Sequence, residues 1–215
     1  MTIDLYYIPD SPNCRPVLMT AKHLKVPLNL KIVKLWEGEH MKPEYEKLNP
    51  QKCVPTLVDD GFVLGESRAI ISYLANKYAP DSDIYPKCPK QRAVVDRMLY
   101  FDIGSLMKSI WDWIAPQGFE KKPPNADLEK AFVKHLNILN DRFLKEHKYV
   151  AGDHLTIADF AILSSVTTLF SLDYDLSKYA NITSWLDRLE KQLPFWKEHV
   201  TEPVHEFKNW IKSNA

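Results

Sequence analysis

The sequence predicts an α/β unit over residues 1–79 and an all-α unit over residues 90–215, joined by a linker at 80–89. Three observations carry that division. Asp60-Gly61 separates two short β-branched and apolar runs, Thr56–Asp59 and Phe62–Leu64, and is a strong hairpin signal because a type I′ turn needs φ > 0 at both central residues. Before the hairpin, two alternating segments flank one helical stripe, a βαβ pattern. After Pro80, Pro86 and Pro89, all periodic segments have helical spacing.

The elements follow in order. Ile3 to Ile8 alternate as a strand. Ser11 and Pro12 read as a helix start, with a hydroxyl at the N-cap and Pro at N1, and Val17, Leu18, Ala21 and Leu24 form the apolar stripe. Pro16 lacks an N–H and should bend that helix or delay its start. Leu28, Leu30 and Ile32 make a second strand, parallel to the first because a helix crosses between them. A polar loop with Gly38-Glu39-His40, a short helix near Glu44 to Leu48 and the hairpin come next. The helix after the hairpin carries Ile70, Ile71, Leu74 and Ala75 at helical spacing. This order, β-α-β-α-β-β-α, is thioredoxin-like.

In the second unit, Arg92 to Ile114 is one long segment with apolar residues on several faces, so it must be covered on several sides. Pro123-Pro124 lies in a break from Gln117 to Asn125, and Asp127 to His147 is a second long helix. Thr156 is an N-cap with Asp159 as its acidic N3 partner and Leu155 as a staple onto Phe160. Further helices are expected over Ile182 to Gln192 and Pro203 to Lys212.

Composition narrows the function. Lys+Arg and Asp+Glu both number 28, and this zero balance argues against a general binder of nucleic acid or anionic membrane. No apolar run is long enough to span a bilayer, and the N-terminus lacks the pattern of a secretory signal. Cys14, Cys53 and Cys88 have no metal-ligand spacing, so no metal is expected, and so sparse a set fits a reduced, cytoplasmic protein.

Glu66 and Ser67 stand where a helix begins, a place that suits a carboxylate because its N–H groups are unpaired and the dipole end is positive. Ordinary capping is the alternative reading of both. Val54-Pro55 enters the hairpin, and because proline cannot donate to a ladder, its neighbour's backbone is left to pair with an extended peptide ligand.

The strings Val-Pro-Thr-Leu (54–57) and Glu-Ser-Arg-Ala-Ile (66–70), the Ser11-x-x-Cys14-Arg15 start, the Gly-Glu-His loop (38–40) and Tyr100-Phe101-Asp102 resemble the cytosolic glutathione S-transferases of the insect delta and epsilon classes, delta the closer. The resemblance covers nearly the whole chain. Two positions depart from it: Pro16 replaces a small residue, and Lys52 replaces a histidine before the cis-proline loop.

The resemblance implies an enzyme that uses glutathione as co-substrate and joins its thiolate to hydrophobic electrophiles in detoxification, with peroxidase activity as an added possibility. It implies a homodimer. Ser11 would donate a hydrogen bond to the glutathione sulfur. Glu66 would meet the γ-glutamyl ammonium and Ser67 its carboxylate, with Arg68 bracing the turn and Asp102 as its charge partner. Val54, beside Pro55, would pair its backbone with the cysteinyl unit, and Cys53 would fill space beside it. His40 and Lys52 would face the glycine carboxylate. Leu35, Leu106, Met107, Ile110, Trp111, Ile114, Phe119 and Phe207 would form the wall for the second substrate. Two rivals keep the same fold: a non-catalytic carrier of hydrophobic ligands, and a glutathione-dependent thiol oxidoreductase. Serine at position 11, where the latter needs its exposed cysteine, argues against it, and Cys14 is expected to be buried and inert.

Overall fold

The structure, a computed structural model, describes residues 2–214; Met1 and Ala215, the outer ends of the two expected units, lie outside the described residues. Strands β1 (Ile3–Tyr7), β2 (Leu28–Ile32), β3 (Thr56–Asp59) and β4 (Phe62–Leu64) form one sheet in the order β2-β1-β3-β4. β1 and β2 run parallel with Ile3 opposite Leu28, and β1–β3 and β3–β4 are antiparallel. Asp60 and Gly61 have φ of 51° and 82°, as the type I′ turn between β3 and β4 requires.

Helix α1 (Arg15–His23) crosses from β1 to β2, and α2 (Pro43–Leu48) and α3 (Ser67–Tyr78) flank the hairpin. The expected start of α1 at Ser11 is corrected. Residues 11–14 instead form a turn in which the N–H groups of Cys14 and Arg15 donate to the Ser11 carbonyl at 3.0 and 3.1 Å. Pro16 explains the delay. A helix capped at Ser11 would place Pro16 in its interior, where an N–H is needed; starting at Arg15 puts it in the first turn, where none is.

The helical half comprises α4 (Pro89–Phe101), α5 (Met107–Glu120), α6 (Ala126–Ile138), α7 (Ile157–Thr168), α8 (Ala180–Gln192) and α9 (Glu202–Asn214). α4 and α5 are one rod interrupted by a wider π-type turn at Asp102–Leu106, and the rod runs through Pro116 to Glu120, past the expected end at Ile114. The second long helix ends earlier than expected, its last π-type turn closing at Phe143 rather than at His147. α7 is the centre: all of its residues are buried, and α1, α3, α4 and α5 pack on it. Its polar side chains, buried with the rest, must therefore find partners inside the protein.

Thr156 and Asp159 form the expected capping box at the start of α7. The Asp159 carboxylate accepts from the Thr156 N–H at 2.8 Å, the Val150 N–H at 3.0 Å and the Trp185 indole at 3.0 Å. Thr156→Ala is expected to cost about 1 kcal/mol of stability. Calorimetric melting should detect the loss, with glutathione affinity unchanged; an affinity loss at unchanged melting temperature would move Thr156 from the fold to the site.

Candidate active site

Four segments outside the strands carry the candidate residues. The first is the turn 11–14. Ser11 is half-buried, and its Oγ accepts from the N–H groups of Asn13 at 3.3 Å and Cys14 at 3.4 Å. The turn is held from behind, because Ser164 of α7 donates to the Pro12 carbonyl at 2.6 Å. Arg15, almost fully buried, donates to Thr167 Oγ1 and Thr168 Oγ1 on the same helix. Cys14 has no exposed surface, and burial pushes its thiol up to about 12, although the neighbouring Ser11 hydroxyl pulls the other way. It is therefore a neutral filler, as expected.

The second segment is the loop before β3. The Val54–Pro55 peptide is cis, and among the described residues no partner takes the Val54 N–H or C=O. The loop does not depend on those groups for its shape. The Cys53 carbonyl accepts from the Tyr45 hydroxyl at 2.7 Å and from Asn49 Nδ2 at 3.0 Å, and Asn49 also reaches Thr56 Oγ1 at 2.9 Å. The Cys53 thiol is exposed but raised, by partial burial first and by the charge of Glu66.

The third segment is the start of α3. Glu66 adopts φ 63° just before the helix, and the first helical bond runs from the Ile70 N–H to the Glu66 carbonyl at 2.9 Å. The N–H groups of Ser67, Arg68 and Ala69 are left without helical partners. Gln51 Nε2 steadies Glu66 at 3.0 Å. Arg68 donates from Nε to Asp102 Oδ2 at 2.9 Å and from Nη2 to the same oxygen, and Ser165 Oγ donates to Asp102 Oδ1 at 2.6 Å. Asp102 is fully buried and Arg68 nearly so, which establishes the expected charge pair. Nη1 of Arg68 donates to Ser67 Oγ at 2.8 Å and to Asn13 Oδ1 at 2.9 Å. Ser67 thus takes a bond on its oxygen, and no hydrogen bond donated by its hydroxyl is seen among the described residues.

The fourth segment is the loop after β2. His40 is half-buried, and its Nδ1 is buried without a partner among the described residues. Lys52 is not a free cation. Its Nζ pairs with Glu46 at 3.1 Å because α2 brings that carboxylate within reach.

The expected apolar wall divides in two. Leu106, Ile110 and Ile114 have no exposed surface and Met107 has 4%. Phe207, at 7%, is buried as well; α6, α7 and α9 cover α5, so what reaches solvent in the helical part of the expected wall is Trp111 and Phe119. Trp111, Phe119 and Phe207 do come together. Trp111 stacks on Phe207 at 6.2 Å between ring centres, and Phe119 lies 5.7 Å from Trp111. Trp210, absent from the expected set, completes the cluster, 4.9 Å from Phe119. Leu35 is half-buried against the core, beside the exposed Trp36.

The sequence reading also missed Asn13, Tyr45, Asn49 and Gln51. Only Trp210 left a signal, since it follows Phe207 at helical spacing. Among the described residues there is no group of three or more His, Cys, Asp or Glu side chains that could hold a metal ion.

Two family models match, glutathione S-transferase N-terminal domain over residues 5–82 and glutathione S-transferase C-terminal domain over residues 96–192. Among solved structures, a delta-class glutathione transferase of Nilaparvata lugens is 46% identical, covering 99% of this chain and 100% of its own, with a TM-score of 0.95. An epsilon-class glutathione S-transferase of the housefly Musca domestica is 39% identical, covering 99% of this chain and 98% of its own, TM-score 0.92. A glutathione transferase homologue of Drosophila mojavensis, solved with bound glutathione, is 36% identical, covering 99% of this chain and 97% of its own, TM-score 0.91.

Proposed function

This chain belongs to the glutathione S-transferase family and is a glutathione transferase, and from that premise we propose which of its residues hold glutathione and activate the sulfur. The observation that carries the reading is the continuous hydrogen-bonded path from Ser11 through Asn13 and Arg68 to Ser67. It ties a hydroxyl to a helix start that is open to an anion.

The γ-glutamyl carboxylate docks on the free N–H groups and the hydroxyl of Ser67 at the start of α3. Glu66, steadied by Gln51, takes the γ-glutamyl ammonium. The Val54 N–H and C=O pair with the cysteinyl unit as a strand would, with Pro55 fixing the bend and Cys53 beside it. His40 faces the glycine carboxylate, which supplies a partner for its ring. Lys52 joins it only by releasing Glu46. Extended in this way, glutathione brings its sulfur to Ser11. The thiol proton leaves to solvent and the Ser11 hydroxyl donates to the thiolate. The sulfur then forms a bond to an electrophilic carbon as its leaving group departs. Trp111, Phe119, Phe207 and Trp210 supply the apolar surface for that electrophile.

The enzyme acts as a homodimer. Tyr100, 75% exposed, and Ile103 border a cavity of about 410 Å³ with Ala69, Ser72 and Tyr85, a face between α3 and α4 suited to a second copy. Its free cysteines and its dependence on glutathione fit the cytosol. The higher identity to the delta-class than to the epsilon-class neighbour favours the delta class.

Glu66→Ala and Ser67→Ala should each weaken glutathione binding by about 1.5 to 3 kcal/mol, since each strips a charged ligand group of its partner. Titration calorimetry with glutathione reads this directly, and an unchanged Kd for both variants removes the turn from the site. Turnover of an aromatic electrophile by the wild type excludes the carrier.

A further inference from the structure

We propose that Asn13 is a positioning residue that couples the buried Arg68–Asp102 pair to the Ser11 hydroxyl, so that the groove seating the γ-glutamyl group also sets the acidity of the bound thiol. The proposal rests on the reading of Ser11 as the thiolate's donor.

Asn13 faces both ways. Its backbone N–H donates to Ser11 Oγ at 3.3 Å, and its side-chain Oδ1 accepts from Arg68 Nη1 at 2.9 Å. Among the described residues this is the one hydrogen-bonded link between the turn 11–14 and the turn 66–68. The far end of the link is rigid, because Arg68 is fixed on Asp102, which is itself held by Ser165. The near end is compliant: bonds of 3.3 and 3.4 Å to Ser11 Oγ lie beyond the usual range and depend on how the turn sits. An oxygen that accepts N–H bonds is polarised and becomes a better donor through its own O–H. Anchoring the Asn13 side chain to the ion pair keeps its N–H aimed at that oxygen. A neutral amide suits this position. It gives Arg68 an acceptor without placing a second anion near the thiolate, where like charge would raise the thiol pKa.

The proposal is tested by thiolate absorbance of the enzyme–glutathione complex against pH, for wild type, Ser11→Ala, Asn13→Leu and the double variant, with melting temperatures measured alongside. Leucine has nearly the shape of asparagine but offers Arg68 no acceptor. Asn13→Leu should move the midpoint up by about half a unit, the scale of one neutral hydrogen bond. The double variant should sit no higher than Ser11→Ala alone, because the two residues act on the sulfur in series. A wild-type midpoint in Asn13→Leu, with or without a lower melting temperature, overturns the coupling while Ser11→Ala remains shifted and its reading stands. Additive shifts in the double variant overturn it too, since Asn13 then reaches the sulfur by another route. If Ser11→Ala itself titrates like wild type, both the coupling and the Ser11 reading fall together.

Discussion

Asp102→Ala should lower stability by about 3 to 5 kcal/mol, the cost of leaving one half of a buried ion pair uncompensated. For a chain of this size that is a fall in Tm of roughly 10 °C. The reason lies in the geometry of the pair. Asp102 has no exposed surface, and its two oxygens hold Arg68 and Ser165. Removing it strands a guanidinium that is only 8% exposed, beside α7. The companion Arg68→Leu/Asp102→Leu should recover much of the stability, because apolar replacement of a whole buried pair is often neutral. It should not recover glutathione affinity, because Arg68 also orders Ser67. Thermal melts and glutathione titrations of the two variants separate fold from function. A Tm loss under about 3 °C in Asp102→Ala would mean that the guanidinium finds water, and the pair would then not anchor the turn at 66–68.

How far such a site can be read in advance depends on the range of the interactions. The Asp60-Gly61 turn, the parallel crossover and the Thr156–Asp159 box were legible because each is written within a few residues. The start of α1 was misplaced by two competing local signals, Ser11-Pro12 and Pro16, whose contest only the folded chain decides. The break expected from Gln117 begins later: the rod runs through Pro116 to Glu120, since tertiary packing outweighs one missing N–H.

Within the site, the residues that touch the ligand in our reading were accessible from motif order. Of those that hold them, Arg68 and Asp102 were accessible in the same way, and Asn13 and Ser165 were not. Asn13 meets Arg68 across 55 positions and Ser165 meets Asp102 across 63, and no local pattern encodes such pairs. The apolar wall shows a different limit. Ile110 and Trp111 are neighbours on one helix, but the first is enclosed and the second half-exposed. Helical spacing marks a residue as apolar-facing and cannot say whether the facing surface is core or pocket.

Ser11→Ala should return the thiol of bound glutathione toward its solution acidity. A free cysteine thiol has a pKa of about 8.5, which leaves roughly 3% as thiolate at pH 7. α1 begins at Arg15 rather than at Ser11, so its dipole, which fades within a turn, adds little at the hydroxyl. The shift then rests on one hydrogen bond to a charged sulfur, about 1.5 to 3 kcal/mol, or about 1 to 2 units at 1.4 kcal/mol each. The wild-type complex should therefore titrate between about 6.5 and 7.5, with a large share of thiolate at neutral pH. The rate rises with pH as the thiol ionises, so a raised pKa moves that limb to higher pH, and the deficit is largest below it. At pH 7 turnover in Ser11→Ala should fall about tenfold or more and recover partly toward pH 9. Kd for glutathione should change far less, since in our reading the peptide is held from Glu66, Ser67 and the Val54 backbone. Thiolate absorbance and the pH–rate profile of both proteins check this. Coincident titrations would reduce Ser11 to a turn residue, and a wild-type complex without thiolate at neutral pH would leave the fold a carrier's.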